Sequence, residues 1–352
     1  MINKNLTKVA LIGVGMVSKV YADALKNLSN EIFLTGVMGS NKHSGEKFLS
    51  QYKFESFKDT IVFSSVDEIA NDKSIDFVIL TTPPNKRIKI VKKLIDGQKP
   101  ILMEKPIERT LKASNEIEKL SIEKNIKIAI MLQHRARPSA IALKKKIKKE
   151  DFGPLQAVEI YVPWWRDQSY YDQPGRGTYS RDGGGVLISQ AIHTLDLAMQ
   201  FTGEIEAVTS MNKKTSFHSM ESEDFVSAGL EFKNNCLGTL FASTATYPGR
   251  SEEIILHYKD VTAILQSNLL QLKWHNGENE TIGKTVASGA GADPMSFTSD
   301  WHKDMILNFK NCLLNEKKPV ASISSALEVH KLISLLEISG KKQSRVEIGE
   351  LD

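Results

Sequence analysis

Residues 183–196 read GGGVLISQAIHTLD, and one side chain in this run, His193, can exchange a proton near neutral pH. On a helix, Ser189, His193 and Asp196 fall at i, i+4 and i+7 and form one polar stripe. Leu187, Ile188, Ala191, Ile192, Leu195 and Met199 fill much of the remainder. A helix this apolar is buried, so its polar stripe needs partners or a wet cleft. Two readings stand at this point: a core histidine satisfied inside the fold, or a general acid–base group. Gly183, Gly184 and Gly185 leave the helix start without side chains, so a ligand is expected to come close there.

A second stretch, GVGMVS at 13–18, suits a different chemistry. Gly13 allows a tight turn, Gly15 lets the backbone approach a pyrophosphate, and the helix start at Met16 and Val17 offers N–H groups to its charge. Ser18 stands where a third glycine is common and is small enough to pack near the strand. The next strand ends VMGSNKH (37–43), without the carboxylate that usually accepts hydrogen bonds from an NAD ribose. Gly39, Ser40, Asn41 and Lys42 offer room, a hydroxyl, an amide and a cation, which favours the 2′-phosphate of NADP over NAD. A third stretch, PWWRDQSYYDQPGRGTYSRD (163–182), mixes aromatic faces with arginines. Those groups suit a polyhydroxylated ring and a carboxylate or phosphate, so Trp165, Arg166, Arg176, Tyr179 and Gln190 are substrate-side candidates. Of Trp164 and Trp165, only one can face a cleft from a strand, and packing in the sheet remains open for either.

The elements that must position these residues follow from hydrophobic period. Over the first 130 residues short apolar runs alternate with amphipathic stretches. KVALIGVG (8–15), EIFLTGVMG (31–39), IVFSS (61–65), IDFVILTTPP (75–84), PILMEKP (100–106) and KIAIMLQ (127–133) read as strands. The stretches between them read as helices, the first over 17–28 with Val20, Ala24 and Leu28 on one face. Continuous apolar strands alternating with helices mean a parallel sheet covered on both faces. After residue 150 the texture changes. LQAVEIYVPWW (155–165), IEAVTSMNKKTSF (205–217), the run 224–247 and the run 252–274 alternate apolar and polar residues, which predicts one large open antiparallel sheet. Residues 301–340 return to helix. The fold class is therefore α/β, a doubly wound parallel sheet followed by a domain built on a large, mostly antiparallel sheet.

Composition excludes several classes. The chain has 352 residues, enough for two domains at about 150 residues each. A net charge of +4 implies no strong field for nucleic acid, and KKKIKK at 144–149 reads as a solvated helix face. Cys236 and Cys312 have no metal-type spacing and read as reduced thiols; no metal is expected. No apolar stretch reaches about 18 residues and the N-terminus lacks a cleavable leader, so a soluble cytoplasmic protein without membrane partners is expected.

Glu104-Lys105-Pro106 at the end of the fifth strand, after the glycine turn at 13–18, resembles the glucose–fructose oxidoreductase / inositol dehydrogenase (Gfo/Idh/MocA) family. TTPPNKR (81–87) is similar to that family's T-P-x-x-x-H turn, with Arg87 in place of histidine. QHRARP (133–138) resembles the exit from its nucleotide domain, GGGVLISQAIHTLD its glycine-rich helix ending H-x-x-D, and the Trp301-His302 helix its closing segment. The resemblance spans nearly the whole chain. It implies a Rossmann domain over 1–133 and a substrate-binding and oligomerisation domain over 134–352. It implies that Gly13, Gly15, Met16, Val17, Ser40, Lys42, Thr82, Pro83, Asn85, Glu104, Lys105 and Gln133 hold NADP or NAD. Lys105 would hydrogen-bond the reacting hydroxyl or carbonyl, and His193 would give and take the proton. Ser189 stands where many members carry aspartate, so His193 acts alone or Asp196 orients it, while Asp196 as a cap or core-bonded group stays open.

The implied activity is hydride transfer between a nicotinamide and a hydroxyl-bearing carbon of a sugar, sugar acid, inositol or sugar nucleotide. A glycosidase of the same fold that oxidises a sugar transiently with held NAD, and a non-catalytic nucleotide sensor, are the alternatives. A wide sheet face is costly to leave exposed, so a homodimer or homotetramer is expected.

Overall fold

The apolar runs become strands where they are predicted. The computed structural model describes residues 6–351 except 288, 292 and 294–296. These divide into two units, residues 1–108, 112–132 and 299–326 in the first, and 109–111, 133–298 and 327–352 in the second.

The first unit alternates β1 (Thr7–Ile12), α1 (Ser18–Asn27), β2 (Ile32–Met38), α2 (Lys42–Gln51), β3 (Ile61–Val62), α3 (Val66–Asn71), β4 (Phe77–Leu80), α4 (Arg87–Asp96), β5 (Ile101–Glu104), α5 (Leu111–Glu123) and β6 (Ile128–Met131). All pairs in this sheet are parallel, in the order β3-β2-β1-β4-β5-β6. Every residue of β4 is fully buried, as are Val9 to Ile12 of β1, because helices cover both faces. The order reverses at the β1–β4 pair. In sheets of this kind a ligand crevice opens beyond the carboxyl ends of the two strands at such a switch.

The second unit begins with α6 (Pro138–Lys149), β7 (Leu155–Pro163) and the short α7 (Gln168–Tyr171). A π-helical turn, Leu187–Ala191, leads into α8 (Ile192–Thr202). Then come β8 (Ile205–Lys213), β9 (Phe225–Phe232), β10 (Leu237–Ser243), β11 (Glu253–Tyr258), β12 (Val261–Gln266), β13 (Leu269–Trp274) and β14 (Asn279–Ile282). Beyond α9 (Asp300–Leu314) and α10 (Ile323–Lys342), β15 (Val346–Glu347) completes a nine-stranded sheet, ordered β14-β13-β12-β11-β7-β10-β9-β8-β15. Its pairs are antiparallel except β7 with β10. The stretch 252–274 folds back twice, at Lys259-Asp260 and at Ser267-Asn268, where polar residues take turn conformations. Burial alternates strictly along β11 and β12, so one face of the sheet is core and the other is half-exposed. α6 and α8 cover the core face.

Helix α9 departs from the expected division at residue 133. Residues 299–326 belong to the first unit, although they follow the second sheet in sequence. The reason is the apolar face of α9. It buries Trp301, Met305, Ile306 and Phe309 against α1 and the parallel sheet, with the Phe309 ring edge-on to Phe77 at 5.3 Å. Ile130 then donates to the Ala321 carbonyl at 2.9 Å, which extends pairing beyond β6.

Candidate functional site

Gly13 sits at the switch. Its N–H donates to the Met38 carbonyl at 2.8 Å and its φ is +104°. A Cβ there would lie 2.7 Å from Thr81 Oγ1 and 2.9 Å from Thr82 N, so only glycine fits. Gly15 is the opposite case, since a Cβ built on it meets nothing within 4 Å. Its open side is a place where a ligand's backbone-hugging group fits. Ser18 is buried and its hydroxyl donates to the Gly15 carbonyl at 2.6 Å, which closes the turn in place of a third glycine. No side chain caps the start of α1 after Met16 and Val17; the N–H groups of Ser18 and Val20 donate to the Gly15 and Val17 carbonyls at 3.1 Å, and the positive end of the helix dipole lies at this turn.

Past β4, Thr82 Oγ1 and Asn85 Oδ1 are buried with no hydrogen-bond partner among the described residues, while Pro83 is exposed. Buried polar atoms of that kind are rare unless a ligand or water completes them. The open Gly15, the uncapped helix and these two atoms together fit a dinucleotide. At the end of β2, Ser40 and Lys42 are exposed. Asn41 caps α2, accepting from Ser44 N at 2.9 Å, and is thereby committed to the fold. Lys42 has only a loose contact with Glu46, at 4.0 Å across solvent.

Lys105 follows β5 and is half-buried. Its segment is gripped by Arg87, the residue in the histidine position of the resembled turn. The buried Arg87 guanidinium donates to the carbonyls of Glu104 and Pro106, and through Nε to the Thr82 carbonyl at 2.9 Å. Arginine has enough donors in one plane to do this and histidine does not. Burial draws the guanidinium down to about 10, which leaves it charged at neutral pH. Glu104, expected at the cofactor, points instead into the unit. Its carboxylate accepts from Tyr21 Oη at 2.9 Å and Lys105 N at 3.1 Å, and His302 Nε2 lies 3.8 Å away. Burial pushes this carboxyl up, but His302, Lys105 and Tyr21 outweigh it and hold it below the usual range. Glu104 therefore braces Lys105 from behind.

In the second unit His193 is buried on α8, two residues past the π-helical turn. Such turns widen the helix and re-aim side chains. Asp196 does not orient His193. It receives Arg135 Nε at 2.7 Å and Nη2 at 2.5 Å in a buried two-point ion pair. The His193 ring packs on His134, with centroids 5.0 Å apart and planes 34° from parallel. Gln133 and Gln190 are buried nearby in sequence, each with its Oε1 atom lacking a hydrogen-bond partner among the described residues. Gln190 Nε2 reaches Tyr170 Oη at 3.4 Å.

Gly183 and Gly185 make room for the protein's own backbone, where a ligand was expected, and Gly184 faces side chains of Glu337 and Ile188. A Cβ on Gly183 would lie 2.7 Å from Arg109 Cα, and one on Gly185 would lie 1.8 Å from the Glu223 carbonyl oxygen. Glu223 takes the N–H groups at the turn: its carboxylate accepts from Gly185 N at 3.2 Å and Leu187 N at 3.1 Å, and its carbonyl from Val186 N at 2.9 Å. Burial pushes the Glu223 carboxyl up to about 6.

The substrate-side candidates separate. Arg166 is a correction: it is 2% exposed, and its Nη atoms donate to the carbonyls of Trp165, Gly291 and Gly289 at 2.7, 2.6 and 2.7 Å. It staples a loop. Trp164 is buried, with Nε1 donating to Glu252 at 3.1 Å, so of the two tryptophans Trp165 is the one turned outward, edge-on to Phe217 and Tyr247. Arg176 is half-buried over the Tyr170 ring at 5.0 Å. Tyr179 is 40% exposed and lines a cleft of about 220 Å³ with Lys213, Glu221, Glu337 and Lys341. His134, Arg137, Glu223 and Glu252 were not singled out from sequence, and Arg87 was marked only as a departure from the histidine of the resembled turn. Only the basic and aromatic run QHRARP pointed toward two of them, and nothing local marks the glutamates. Among the described residues no group of three potential ligands could hold a metal, and no helix is long and apolar enough to cross a membrane.

Residues 7–131 match the oxidoreductase family with an NAD-binding Rossmann fold, and residues 141–263 match the GFO/IDH/MocA C-terminal domain. The chain is similar to oxidoreductase C115.03 of Schizosaccharomyces pombe, 26% identical over 175 residues, 48% of this chain and 46% of that protein. It is similar to the NADP(+) scyllo-inositol 2-dehydrogenase IolW of Bacillus subtilis, 22% identical over 73% of this chain and 68% of that one. Alignment with the first of these relatives thus spans about half of its length. In fold it is similar to the WlbA dehydrogenase of Bordetella pertussis, crystallised with NADH and UDP-GlcNAcA, with a TM-score of 0.83, 21% identity and 99% of each chain covered. The two matched segments, the parallel sheet with its glycine turn, and the open nine-stranded sheet make this chain a member of the GFO/IDH/MocA oxidoreductase family.

Proposed function

We propose that the protein is an NADP-preferring dehydrogenase acting on a CH–OH carbon of a sugar, sugar acid, inositol or sugar nucleotide. The observation that carries this reading is the turn at Gly13 and Gly15, open on the Gly15 side, beside the uncompleted polar atoms of Thr82 and Asn85. The first unit holds the cofactor through Gly13, Gly15, Met16, Val17, Thr82, Pro83 and Asn85, with Gln133 contributing from the following segment. Ser40 and Lys42, with no carboxylate among residues 39–43, support NADP.

The bound nicotinamide supplies the hydride acceptor or donor. The chain's own residues must then manage the oxygen and its proton. Lys105 donates to the reacting oxygen and stabilises negative charge as it develops there. The grip of Arg87 and the brace of Glu104 fix the backbone from which this side chain extends. His193 takes the hydroxyl proton on oxidation and returns it on reduction. Trp165, Arg176, Tyr179 and Gln190 offer ring faces and polar ends for a polyhydroxylated ligand. The half-exposed face of the nine-stranded sheet supports assembly into a homo-oligomer, and the buried thiols Cys236 and Cys312 fit a reducing cytoplasm.

The test is a fluorescence titration with NADPH and with NADH, followed by turnover on a panel of sugars and inositols. Tighter NADPH binding is expected. A clear NADH preference refutes the strand-end argument, and no binding of either refutes the dehydrogenase. Lys105→Ala and His193→Ala are each expected to lower turnover by about 10³-fold or more while leaving NADPH binding intact. Full activity in both variants refutes the assigned roles.

A further inference from the structure

Two imidazoles touch in the second unit, and chemistry distinguishes them. His134 Nε2 lies 2.6 Å from Arg137 Nη2. A guanidinium only donates, so His134 Nε2 must present a lone pair and its proton must sit on Nδ1. The guanidinium is itself anchored. Arg137 Nη2 is 2.6 Å from Glu252 Oε1, and Glu252 Oε2 accepts from Trp164 Nε1 at 3.1 Å. Arg137, Glu252 and His134 are all nearly fully buried. A second proton on His134 would break the bond to Arg137 and set two cations 2.6 Å apart away from water.

We infer that His134 is a positioning residue for His193, held by Arg137 as the uncharged Nδ1–H tautomer, so that of the two touching rings only His193 exchanges a proton. This rests on the reading of His193 as the acid–base group. The ring contact at 5.0 Å sets the His193 plane, and the chain Trp164–Glu252–Arg137–His134 ties that plane to β7 and to the residues just before β11. The other charged groups around α8 are already matched: Arg135 pairs with Asp196, and Lys144 interacts with that pair. Glu159, Glu253 and His257 lie on the other, half-exposed face of β7 and β11.

The experiment is two-bond ¹H–¹⁵N correlation of the eight histidines in the full-length, ¹⁵N-labelled protein. His134 is expected to show an acceptor Nε2 and a protonated Nδ1, unchanged from about pH 5 to about pH 9, while His193 titrates. A proton on His134 Nε2, or a His134 ring that titrates in that window, overturns the inference. This readout needs no substrate, so it stands apart from whether a sugar is oxidised. Variants then separate positioning from relay. His134→Phe keeps the ring contact but loses the acceptor for Arg137 and is expected to lower kcat by less than about 10-fold, whereas His134→Gln keeps an acceptor, loses the ring, and is expected to lower kcat by about 10- to 100-fold with KM for NADPH within about 2-fold. A His134→Phe variant that folds and binds NADPH but loses more kcat than His134→Gln shows that the ring contact is not what matters, and a harmless His134→Gln shows that the ring contact does nothing; either overturns the assignment.

Discussion

Gly13→Ala and Gly15→Ala differ by two positions in the sequence and are expected to fail in opposite ways. At Gly13 the φ of +104° costs an L-residue about 1–3 kcal/mol. The added methyl would also sit 2.7–2.9 Å from Thr81 and from the Thr82 backbone, an overlap worth another 1–3 kcal/mol or so. Reduced freedom of the unfolded chain returns about 0.4–1 kcal/mol. The net is about 1–6 kcal/mol, or on the order of 2–20 °C in the melting temperature. Gly15 has no strained φ and nothing within 4 Å, so Gly15→Ala should shift stability by no more than about 0.5 kcal/mol. Its methyl instead occupies the approach proposed for the pyrophosphate. NADPH binding should weaken at least about 10-fold, which is about 1.4 kcal/mol. Thermal melts without ligand and fluorescence titration with NADPH measure the two effects separately. A Gly15→Ala protein that melts and binds like the parent would refute the cradle, and a Gly13→Ala protein of unchanged stability would refute the steric argument.

Further perturbations read other parts of the structure. Glu337 is pushed up to about 8, chiefly by burial and then by the neighbouring Glu223. A carboxyl raised on folding holds its proton longer in the folded state, so stability is highest below about pH 4.5 for this group and is lost as pH rises toward about 8. Glu337→Gln should therefore melt higher than the parent at pH 8, by an amount on the order of 1–3 kcal/mol, and nearly alike at pH 4.5; an equal shift at both pH values would refute it. Arg87→Met strips donors from the carbonyls of Thr82, Glu104 and Pro106 and should cost about 2–5 kcal/mol by denaturant titration, with Arg87→Lys rescuing little because one ammonium cannot span them. Asp196→Asn leaves Arg135 buried without its counter-charge, costing about 3–5 kcal/mol, yet should leave the pH profile of turnover unchanged; a moved profile would return Asp196 to the proton transfer.

The sequence alone determined the fold class, because its signals are local and redundant. Strands β1 and β4 announce themselves as unbroken apolar runs, since a strand buried on both faces has no polar side to show. Gly13 and Gly15 were legible because a strand–turn–helix leaves little else for two glycines to do. The tertiary structure decided what long-range partners do to otherwise readable residues. Arg166 looked like a ligand for an acid until the carbonyls of Gly289 and Gly291 claimed it from 123 and 125 residues away. Gly183 and Gly185 looked open until the backbones of Arg109 and Glu223 filled the space. Asp196 was taken by Arg135, and His134 by Arg137 and Glu252. Helix α9 follows the second sheet yet joins the first unit, because its apolar face matches α1 and Phe77 and chain order sets no limit on which surface covers it. Periodicity shows which side of an element is buried; only the packed chain shows which polar atoms remain unclaimed for chemistry.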